Sequence, residues 1–347
     1  MHLNKHLGAE WNHSQSSPHE RQGGITLWVT ASQWYFERLV EQGMDFPDSF
    51  FFLSDQDSGW CTHPDSCAIP ALSIAKDRPE RVDLLFPFMV GSNHSLYNFP
   101  FQLKLPQAFF SGRPNWGASE RVFEQPNGTA TRLWSRKHLS QLSAQHGSRL
   151  VASLLTEDAA SYPGCRVTDR ELPIKEHARW RFLLALDGVT YSSRLGRVMH
   201  TDSVILREAS PWAEYYYRAL REGVHYLPVL KDGPDDVLDL VASWENRTRD
   251  LQELAWRSQS FALRYLCPRA RMLYFRRLLS RYMGLFRQPD GSNAMTGFIS
   301  EVLVPIIQAR RRGDMETTYM GIRPYVAGRR SVLSGSKEQR VFLAREL

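Results

Sequence analysis

The stretch that decides the fold spans residues 179–195 and reads Arg179-Trp-Arg-Phe-Leu-Leu-Ala-Leu-Asp-Gly-Val-Thr-Tyr-Ser-Ser-Arg-Leu195. Its apolar run, residues 180–186, is typical of a β-strand that is buried on both faces. The run stops at Asp187-Gly188, and the spacing predicts a helix over residues 191–199. A second apolar run follows at residues 203–206. Strand, turn, helix and strand in this order predict a unit of parallel sheet.

The same alternation continues on both sides of this unit. Further strands are predicted at residues 49–55, 70–75, 83–88, 108–110, 150–155 and 225–230. Helices are predicted at residues 132–144, 211–220, 235–266 and 270–286. The fold class predicted from this pattern is α/β. With 347 residues, the chain is long enough for two domains.

Composition excludes some classes of protein and leaves others open. Apolar residues make up 42% of the chain and charged residues 23%, which excludes a mainly disordered protein. No run of 18 apolar residues occurs, so no membrane span is predicted. The net charge of +6 is compatible with anionic partners, either nucleic acid or a nucleotide diphosphate, but the charge alone favours a mixed solvated surface over both.

Glycosylation motifs bear on the cellular compartment. Four Asn-x-Ser/Thr motifs begin at Asn12, Asn93, Asn127 and Asn246, which favours a glycoprotein of the secretory pathway. The first 20 residues have no apolar core and are not a signal peptide. We therefore expect the endoplasmic reticulum or Golgi lumen if an N-terminal signal is missing from this chain.

No metal site is predicted. The four cysteines, Cys61, Cys67, Cys165 and Cys267, lack the paired spacing of zinc ligands. Asp55 and Asp57 have the DxD spacing of metal-dependent transferases, but we interpret them as a polar pair at the end of a strand.

Candidate phosphate ligands follow two of the predicted strands. In α/β proteins, ligands bind outside the carboxyl ends of strands. Gly112 follows the strand at residues 108–110 and would let backbone amides approach a phosphate, which Arg113 could bind through two nitrogens. An ordinary surface loop is the alternative interpretation.

The second candidate region follows residue 186. The turn at Gly188 leads into a predicted helix whose first turn contains Ser192 and Arg194. Free amides at a helix start carry partial positive charge and favour a phosphate. The alternatives are that Ser192 caps this helix and that Arg194 forms an ordinary salt bridge.

Taken in order, these motifs resemble the capsule-associated glycosyltransferase family, which includes protein O-glucosyltransferases and fungal xylosyltransferases. Residues 179–195 resemble the strand, turn and helix at the core of that family, and residues 203–206 its next strand. The stretches 214–220 and 225–229 resemble the family motifs that follow. The resemblance covers residues 45–290.

The resemblance implies a GT-B-like fold, in which two Rossmann-like lobes face a cleft. It implies an N-terminal acceptor-side lobe at residues 24–165 and a nucleotide-sugar-binding lobe at 166–295, with a loose tail at 1–23 and a helical extension at 296–347. It also implies inverting, metal-independent transfer, with no cofactor, from UDP-glucose or UDP-xylose to a hydroxyl of a glycan or of a protein Ser or Thr.

Site residues carry over from the family one position at a time. Asp83, in the stretch Asp83-Leu-Leu-Phe-Pro87, matches the catalytic aspartate. Such a base is needed because the pKa of an acceptor hydroxyl lies far above 7. Without the resemblance, Asp83 would be interpreted as a surface carboxylate that opens a strand. Arg121 and Arg194 match the arginines that contact the UDP diphosphate.

Glycines and hydroxyls complete the implied UDP-sugar site. Gly188 and Ser192 match the turn beside the nucleotide, and Gly112 lies in the turn that opens the first phosphate loop. Ser111 stands where the family usually has arginine, and Arg113 is expected to replace that charge.

Departures from the family keep other functions open. Ala178 and Thr201 stand where relatives often pair two cysteines, so we expect that disulfide to be absent. The altered loop at Ser111 favours a non-catalytic lumenal relative that binds sugar or protein. A basic nucleic-acid-binding protein is a further alternative, supported only by the net charge; the resemblance implies no nucleic-acid partner.

Overall fold

A computed structural model describes residues 36–51, 71–78, 80–88, 95–115, 120–124, 128–305 and 308. The chain forms two compact units, one comprising residues 91–270 and the other comprising residues 1–90 and 271–347. The predicted tail at 1–23, and most of the predicted extension at 296–347, lie outside the described residues. No helix within the described ranges combines the length and apolar character needed to cross a membrane.

The strands and helices are labelled in chain order. The strands are β1 (Leu72–Ser73), β2 (Ala75–Lys76), β3 (Leu84–Leu85), β4 (Leu105–Gly112), β5 (Glu120–Glu124), β6 (Ala130–Trp134), β7 (Leu150–Leu155), β8 (Val167–Thr168), β9 (Trp180–Ala185), β10 (Val204–Glu208), β11 (Ala213–Glu214) and β12 (Leu227–Val229). The helices are α1 (Ser135–Gln145), α2 (Ile174–His177), α3 (Arg194–Val198), α4 (Asp236–Trp244), α5 (Thr248–Tyr265), α6 (Pro268–Gly284) and α7 (Ala294–Phe298).

A six-stranded parallel sheet forms the centre of the unit at residues 91–270. Its spatial order is β8-β7-β4-β9-β10-β12. Numbered along the chain, this is the 3-2-1-4-5-6 order of doubly wound nucleotide-binding sheets. Phe182, Leu183 and Leu184 are consecutive on β9 and all buried, as expected of a strand covered on both faces. The α/β fold class predicted from the sequence is therefore confirmed.

The structure divides the chain at places that differ from the predicted lobe boundary at residues 165 and 166. Strands β4 and β7 precede that boundary, whereas β9 and β10 follow it. Because β4 pairs with β7 on one side and with β9 on the other, all four belong to one sheet. Arg121 and Arg194, predicted in different lobes, consequently lie in the same unit.

The helix predicted at residues 211–220 is wrong. This segment contains the short strand β11 and a 3₁₀ turn at Tyr217–Ala219. Tyr215, Tyr216 and Tyr217 are all buried. Consecutive residues of an α-helix point in different directions, so one helix face could not bury all three rings. The predicted helix at 235–266 is two helices, α4 and α5.

The strand pair that carries Arg121 was not predicted. Strands β5 and β6 form an antiparallel hairpin in which Arg121 lies opposite Leu133. Glu120, Val122 and Glu124 on β5 are exposed, so the hairpin lacks the alternation of apolar and polar residues that identifies a half-buried strand.

A buried lysine joins three segments near the amino ends of the central strands. The Nζ atom of Lys104 donates to Asp202 Oδ1 at 2.6 Å, to Ser203 Oγ at 3.1 Å and to the carbonyl of Ala178. Residues 178 and 201 are the positions where the family disulfide was expected to be absent; here an ion pair and hydrogen bonds link these segments. Burial lowers the pKa of Lys104, and the bond to Asp202 opposes that shift.

In the other unit, β1 and β3 form a parallel pair. The ring of Phe275 on α6 contacts those of Phe51 and Phe86, at centroid distances of 5.9 and 6.3 Å. Among the described residues, no cluster of three His, Cys, Asp or Glu side chains could hold a metal ion. Asp55 and Asp57 lie outside them.

Candidate functional site

The candidate site lies at the carboxyl edge of the six-stranded sheet. Strand β4 ends at Gly112 and its neighbour β9 ends at Ala185. The strand order reverses between these two strands, and ligands of doubly wound proteins bind in the crevice that opens at such a point. We call residues 113–115 and 186–193, which follow the two strands, the β4 loop and the β9 loop.

Arg194 lies across the end of β4. Its guanidinium carbon is 4.7 Å from the centroid of the Phe110 ring, which is a cation–π contact. A Cβ atom on Gly112 would come within 2.5 Å of Arg194 Nη2. The absent side chain of Gly112 thus makes room for the arginine. The role expected for Gly112 from the sequence, to let backbone amides approach a phosphate, stays a prediction.

Arg136, which is not among the residues predicted from the sequence, joins the two loops. It lies in the first turn of α1, and its side chain is buried. Its Nη1 donates to the carbonyl of Arg113 at 2.8 Å, and its Nη2 donates to the carbonyl of Leu186 at 3.0 Å. Its guanidinium also lies over the Phe110 ring, at 5.4 Å from the centroid.

The two arginines make this edge electropositive. Burial lowers the pKa of Arg194 to about 9, and the charge of Arg136 contributes to the shift. Burial lowers the pKa of Arg136 to about 10, although Glu208 and Asp187 oppose this change. Among the described residues, no carboxylate lies within ion-pair distance of Arg194, and its buried Nε has no hydrogen-bond partner. An anion bound at this edge would raise both pKa values again, because a nearby negative charge stabilises the charged form of each arginine.

Glu208 and Asp187 form an acidic pair at the ends of β10 and β9. Glu208 Oε2 accepts from the backbone amide of Asp187 at 2.8 Å and from Ser135 Oγ at 3.2 Å. Burial raises the pKa of both carboxyls, and the charge of Asp187 raises the pKa of Glu208 further. Ser210 Oγ donates to Asp187. These bonds fix the position of the β9 loop beside the arginines.

Arg121 is held by Glu208, one member of this acidic pair. Its Nε is 3.8 Å from Glu208 Oε1, and its Nη2 donates to the carbonyl of Leu230 at 3.3 Å. The side chain is 23% exposed, so part of the guanidinium remains accessible. Arg121 and Arg194 thus both belong to the unit of the central sheet, and only Arg121 is paired with a carboxylate among the described residues.

The remaining predicted ligands are placed at the same two loops. The Arg113 side chain is exposed, and its carbonyl binds Arg136. Ser192 Oγ accepts from the backbone amide of Arg194 at 3.3 Å. The residue at the N-cap position of α3 is Ser193, not Ser192, and its side chain makes no capping bond. Gly188 faces Arg136, whose Nη2 would be 3.5 Å from a Cβ at that position. Helix α3 has only five residues, shorter than the predicted helix over 191–199.

Asp83 lies in the other unit, directly before β3. It is fully buried, so the alternative interpretation as a surface carboxylate is wrong. Ser73 Oγ on β1 donates to Asp83 Oδ1 at 2.9 Å. The role of Asp83 as a catalytic base stays a prediction.

Arg136 and Glu208 were missed for different reasons. Arg136 shares the buried face of α1 with Leu139, Ser140 and Ser143, which follow it at intervals of three, four and seven residues. The sequence shows this spacing, so an arginine on the buried face of a predicted helix could have been recognised as a candidate functional residue. Glu208 was missed because the predicted strand ended at residue 206, two residues too early.

Comparison with known proteins identifies the family. Residues 93–325 match the family model described as glycosyl transferase family 90. The chain belongs to this family. The match includes both loops, the hairpin that carries Arg121 and the central sheet, and it confirms the resemblance found in the sequence.

Two curated relatives have related names. The chain is 27% identical over 241 residues to the O-glucosyltransferase rumi homolog of Anopheles gambiae, which covers 63% of this chain and 57% of the relative. It is 24% identical over 188 residues to protein O-glucosyltransferase 1 of Rattus norvegicus, which covers 54% and 44%. The chain spans about half the length of these relatives.

A solved glycosyltransferase from Rickettsia africae superimposes on 79% of this chain and 84% of its own, with 6% sequence identity and a TM-score of 0.44.

Proposed function

We propose that the protein is an inverting glycosyltransferase that moves a sugar from a UDP-sugar to a hydroxyl acceptor. The observation that carries this proposal is the electropositive edge at β4 and β9, where Arg194 has no carboxylate partner among the described residues. Membership of glycosyl transferase family 90 supports the reaction class. The names of the relatives favour glucose as the sugar and a protein as the acceptor.

The arginines would act on the leaving group. As the bond between the anomeric carbon and the phosphate oxygen breaks, negative charge develops on UDP. Preorganised cations at that position stabilise the developing charge without reorganisation. Arg194 is held in advance by Phe110, and Arg121 by Glu208 and Leu230. We therefore propose that these two arginines supply the stabilisation, with no divalent metal.

Asp83 is the proposed base. The acceptor oxygen attacks the anomeric carbon from the face opposite UDP and inverts it, and the hydroxyl proton passes to the carboxylate. The new bond joins the acceptor oxygen to the sugar, and UDP leaves with the electron pair of the broken bond.

UDP binding tests the proposed donor site. Each charge-assisted contact contributes roughly 1.5–3 kcal/mol, so Arg194→Ala should weaken UDP binding at least about tenfold in calorimetry. Arg264→Ala is a matched control because Arg264 is an exposed arginine on α5 in the same unit. Equal affinity in wild-type protein and a folded Arg194→Ala variant would refute the donor site.

The donor sugar and the metal requirement need a transfer assay. A panel of UDP-glucose, UDP-xylose and other UDP-sugars, followed by mass measurement of the product, would identify the sugar. We expect activity to survive excess EDTA. Complete loss that manganese restores would instead assign a metal to the reaction and direct attention to Asp55 and Asp57.

A second candidate function is a non-catalytic relative that binds sugar or protein. The complete burial of Asp83 favours it, because a base must reach the acceptor hydroxyl. Hydrolysis or transfer of a UDP-sugar by the purified protein would exclude this candidate. UDP binding without either reaction would favour it.

We also propose a secretory-pathway location, in the endoplasmic reticulum or Golgi. The four glycosylation motifs support it. Asn246 is exposed between α4 and α5, where an N-linked glycan could be accommodated. A mobility shift on treatment of the cell-derived protein with an N-glycosidase is the expected result.

A further inference from the structure

The side chain of Arg136 is a buried cation that the proposed reaction does not use. Only 8% of the residue is exposed, and it lies on the face of α1 that packs on the sheet, with Leu139 and Ser140. A buried arginine is unfavourable unless its donors are satisfied. Two of its three nitrogens donate to backbone carbonyls, and the third, Nε, has no partner.

The two acceptors of Arg136 come from different strands. The carbonyl of Arg113 directly follows β4, and the carbonyl of Leu186 directly follows β9. Both therefore lie where the sheet hydrogen bonds between β4 and β9 have ended and the β4 and β9 loops begin to separate. The guanidinium is planar and rigid, so the two carbonyls that its outer nitrogens bind are held at a fixed distance from each other.

The loops fixed in this way carry the proposed UDP ligands. The β9 loop leads into Arg194, and its turn at Gly188 packs against Arg136 itself. The β4 loop begins at Arg113. The guanidinium groups of Arg136 and Arg194 also both make cation–π contacts with the Phe110 ring.

We infer that Arg136 is a positioning residue that fixes the separation of the β4 and β9 loops, so that Arg194 and the Gly188 turn face one diphosphate. This inference rests on the proposed function for the identity of the ligand. It does not require Arg136 to touch UDP, because both of its outer nitrogens are already engaged with the protein.

Two substitutions separate this role from a role of the charge alone. Arg136→Lys keeps a cation at the site but replaces the two-nitrogen bridge by one ammonium group. Arg136→Gln removes the charge and keeps hydrogen-bonding capacity. If the bridge matters, both variants should bind UDP at least tenfold more weakly, and the lysine should not restore affinity. Arg149→Lys is the control, since Arg149 is exposed at the opposite edge of the sheet, before β7.

Amide hydrogen exchange without UDP provides a readout that does not depend on the ligand. In both variants, exchange should become at least tenfold faster at Arg113, at Asn115 and at residues 187–193, while β7 amides stay as protected as in the wild-type protein. Faster exchange across β7 as well would mean a general loss of stability and would overturn the inference.

The outcomes distinguish this inference from the proposed function. If the wild-type chain binds no UDP, the proposed function fails, and the exchange measurement still decides whether Arg136 holds the loops. If Arg136→Lys binds UDP with wild-type affinity, the positive charge of residue 136 is sufficient for UDP binding, and the bridging role is overturned. Unchanged exchange at both loops in a folded Arg136→Gln variant would also overturn it.

Discussion

Replacing Gly112 by alanine tests the donor site with a single methyl group. The added Cβ would lie 2.5 Å from Arg194 Nη2 and 2.9 Å from Phe110 Cζ. Ordinary contacts begin at 3.4 Å, so both contacts are too short, and the more mobile of the two side chains must make the larger shift. Phe110 is fixed in the core of the sheet, with only 1% of its surface exposed. The guanidinium of Arg194, at the end of a flexible side chain, is therefore the group that moves.

The size of the effect follows from the displacement. Moving Nη2 from 2.5 to 3.4 Å is a shift of about 0.9 Å. A hydrogen bond to phosphate of about 2.9 Å would then lengthen to about 3.8 Å, beyond hydrogen-bonding range. Losing one charge-assisted bond, roughly 1.5–3 kcal/mol, corresponds to about ten- to hundredfold weaker UDP binding. Overpacking against Phe110 should lower the free energy of unfolding by about 1–3 kcal/mol.

Calorimetry with UDP on a double-mutant cycle is the assay. In an Arg194→Ala background the displaced group is absent, so Gly112→Ala should change UDP affinity little, and the two effects should not add. Gly147→Ala is the control, because a Cβ there would meet its nearest atom, the carbonyl oxygen of Ser143, at 3.7 Å. The reasoning is refuted if Gly112→Ala binds UDP normally, or if it weakens binding equally with and without Arg194.

Three further substitutions test other parts of the structure. Asp83→Asn should reduce transfer by about 10²–10⁴ while UDP affinity changes less than about threefold; near-native turnover would show that Asp83 is not the base. Lys104→Met should lower the free energy of unfolding by about 3 kcal/mol in urea denaturation, because it leaves Asp202 without its cation; a change below about 1 kcal/mol would contradict this. Glu208→Gln should alter the pH dependence of stability. The folded pKa of Glu208 is raised, so its stabilising contribution is complete below its ordinary value of 4.5 and is lost as pH rises through the folded pKa. The wild-type protein should therefore lose at least about 1 kcal/mol relative to Glu208→Gln between pH 4 and pH 8, and parallel stability curves would contradict the raised pKa.

The sequence by itself determined the elements with strong local patterns. The strand β9, whose apolar run is interrupted only by Arg181, was predicted to within one residue, and β7 was predicted with the bounds that it has. The run at residues 182–186 can be recognised because a strand that is buried on both faces needs apolar residues at consecutive positions. The same patterns placed Gly112 and Gly188 directly after strands and Arg194 in the first turn of a helix. The motifs in these segments carried the resemblance to the family, which the family match confirms.

Only the tertiary structure decided which groups meet at the site. Gly112 and Arg194 are 82 positions apart in the sequence, and no local pattern shows that one makes room for the other. The pairing of Arg121 with Glu208 depends on the β5–β6 hairpin, whose sequence does not alternate between apolar and polar residues and so was not predicted as a strand pair. Arg136 connects the ends of β4 and β9 because parallel pairing brings those strands together, and pairing between distant segments is a property of the folded chain. Local sequence therefore specified the strands, and long-range packing specified the contacts of the arginines between them.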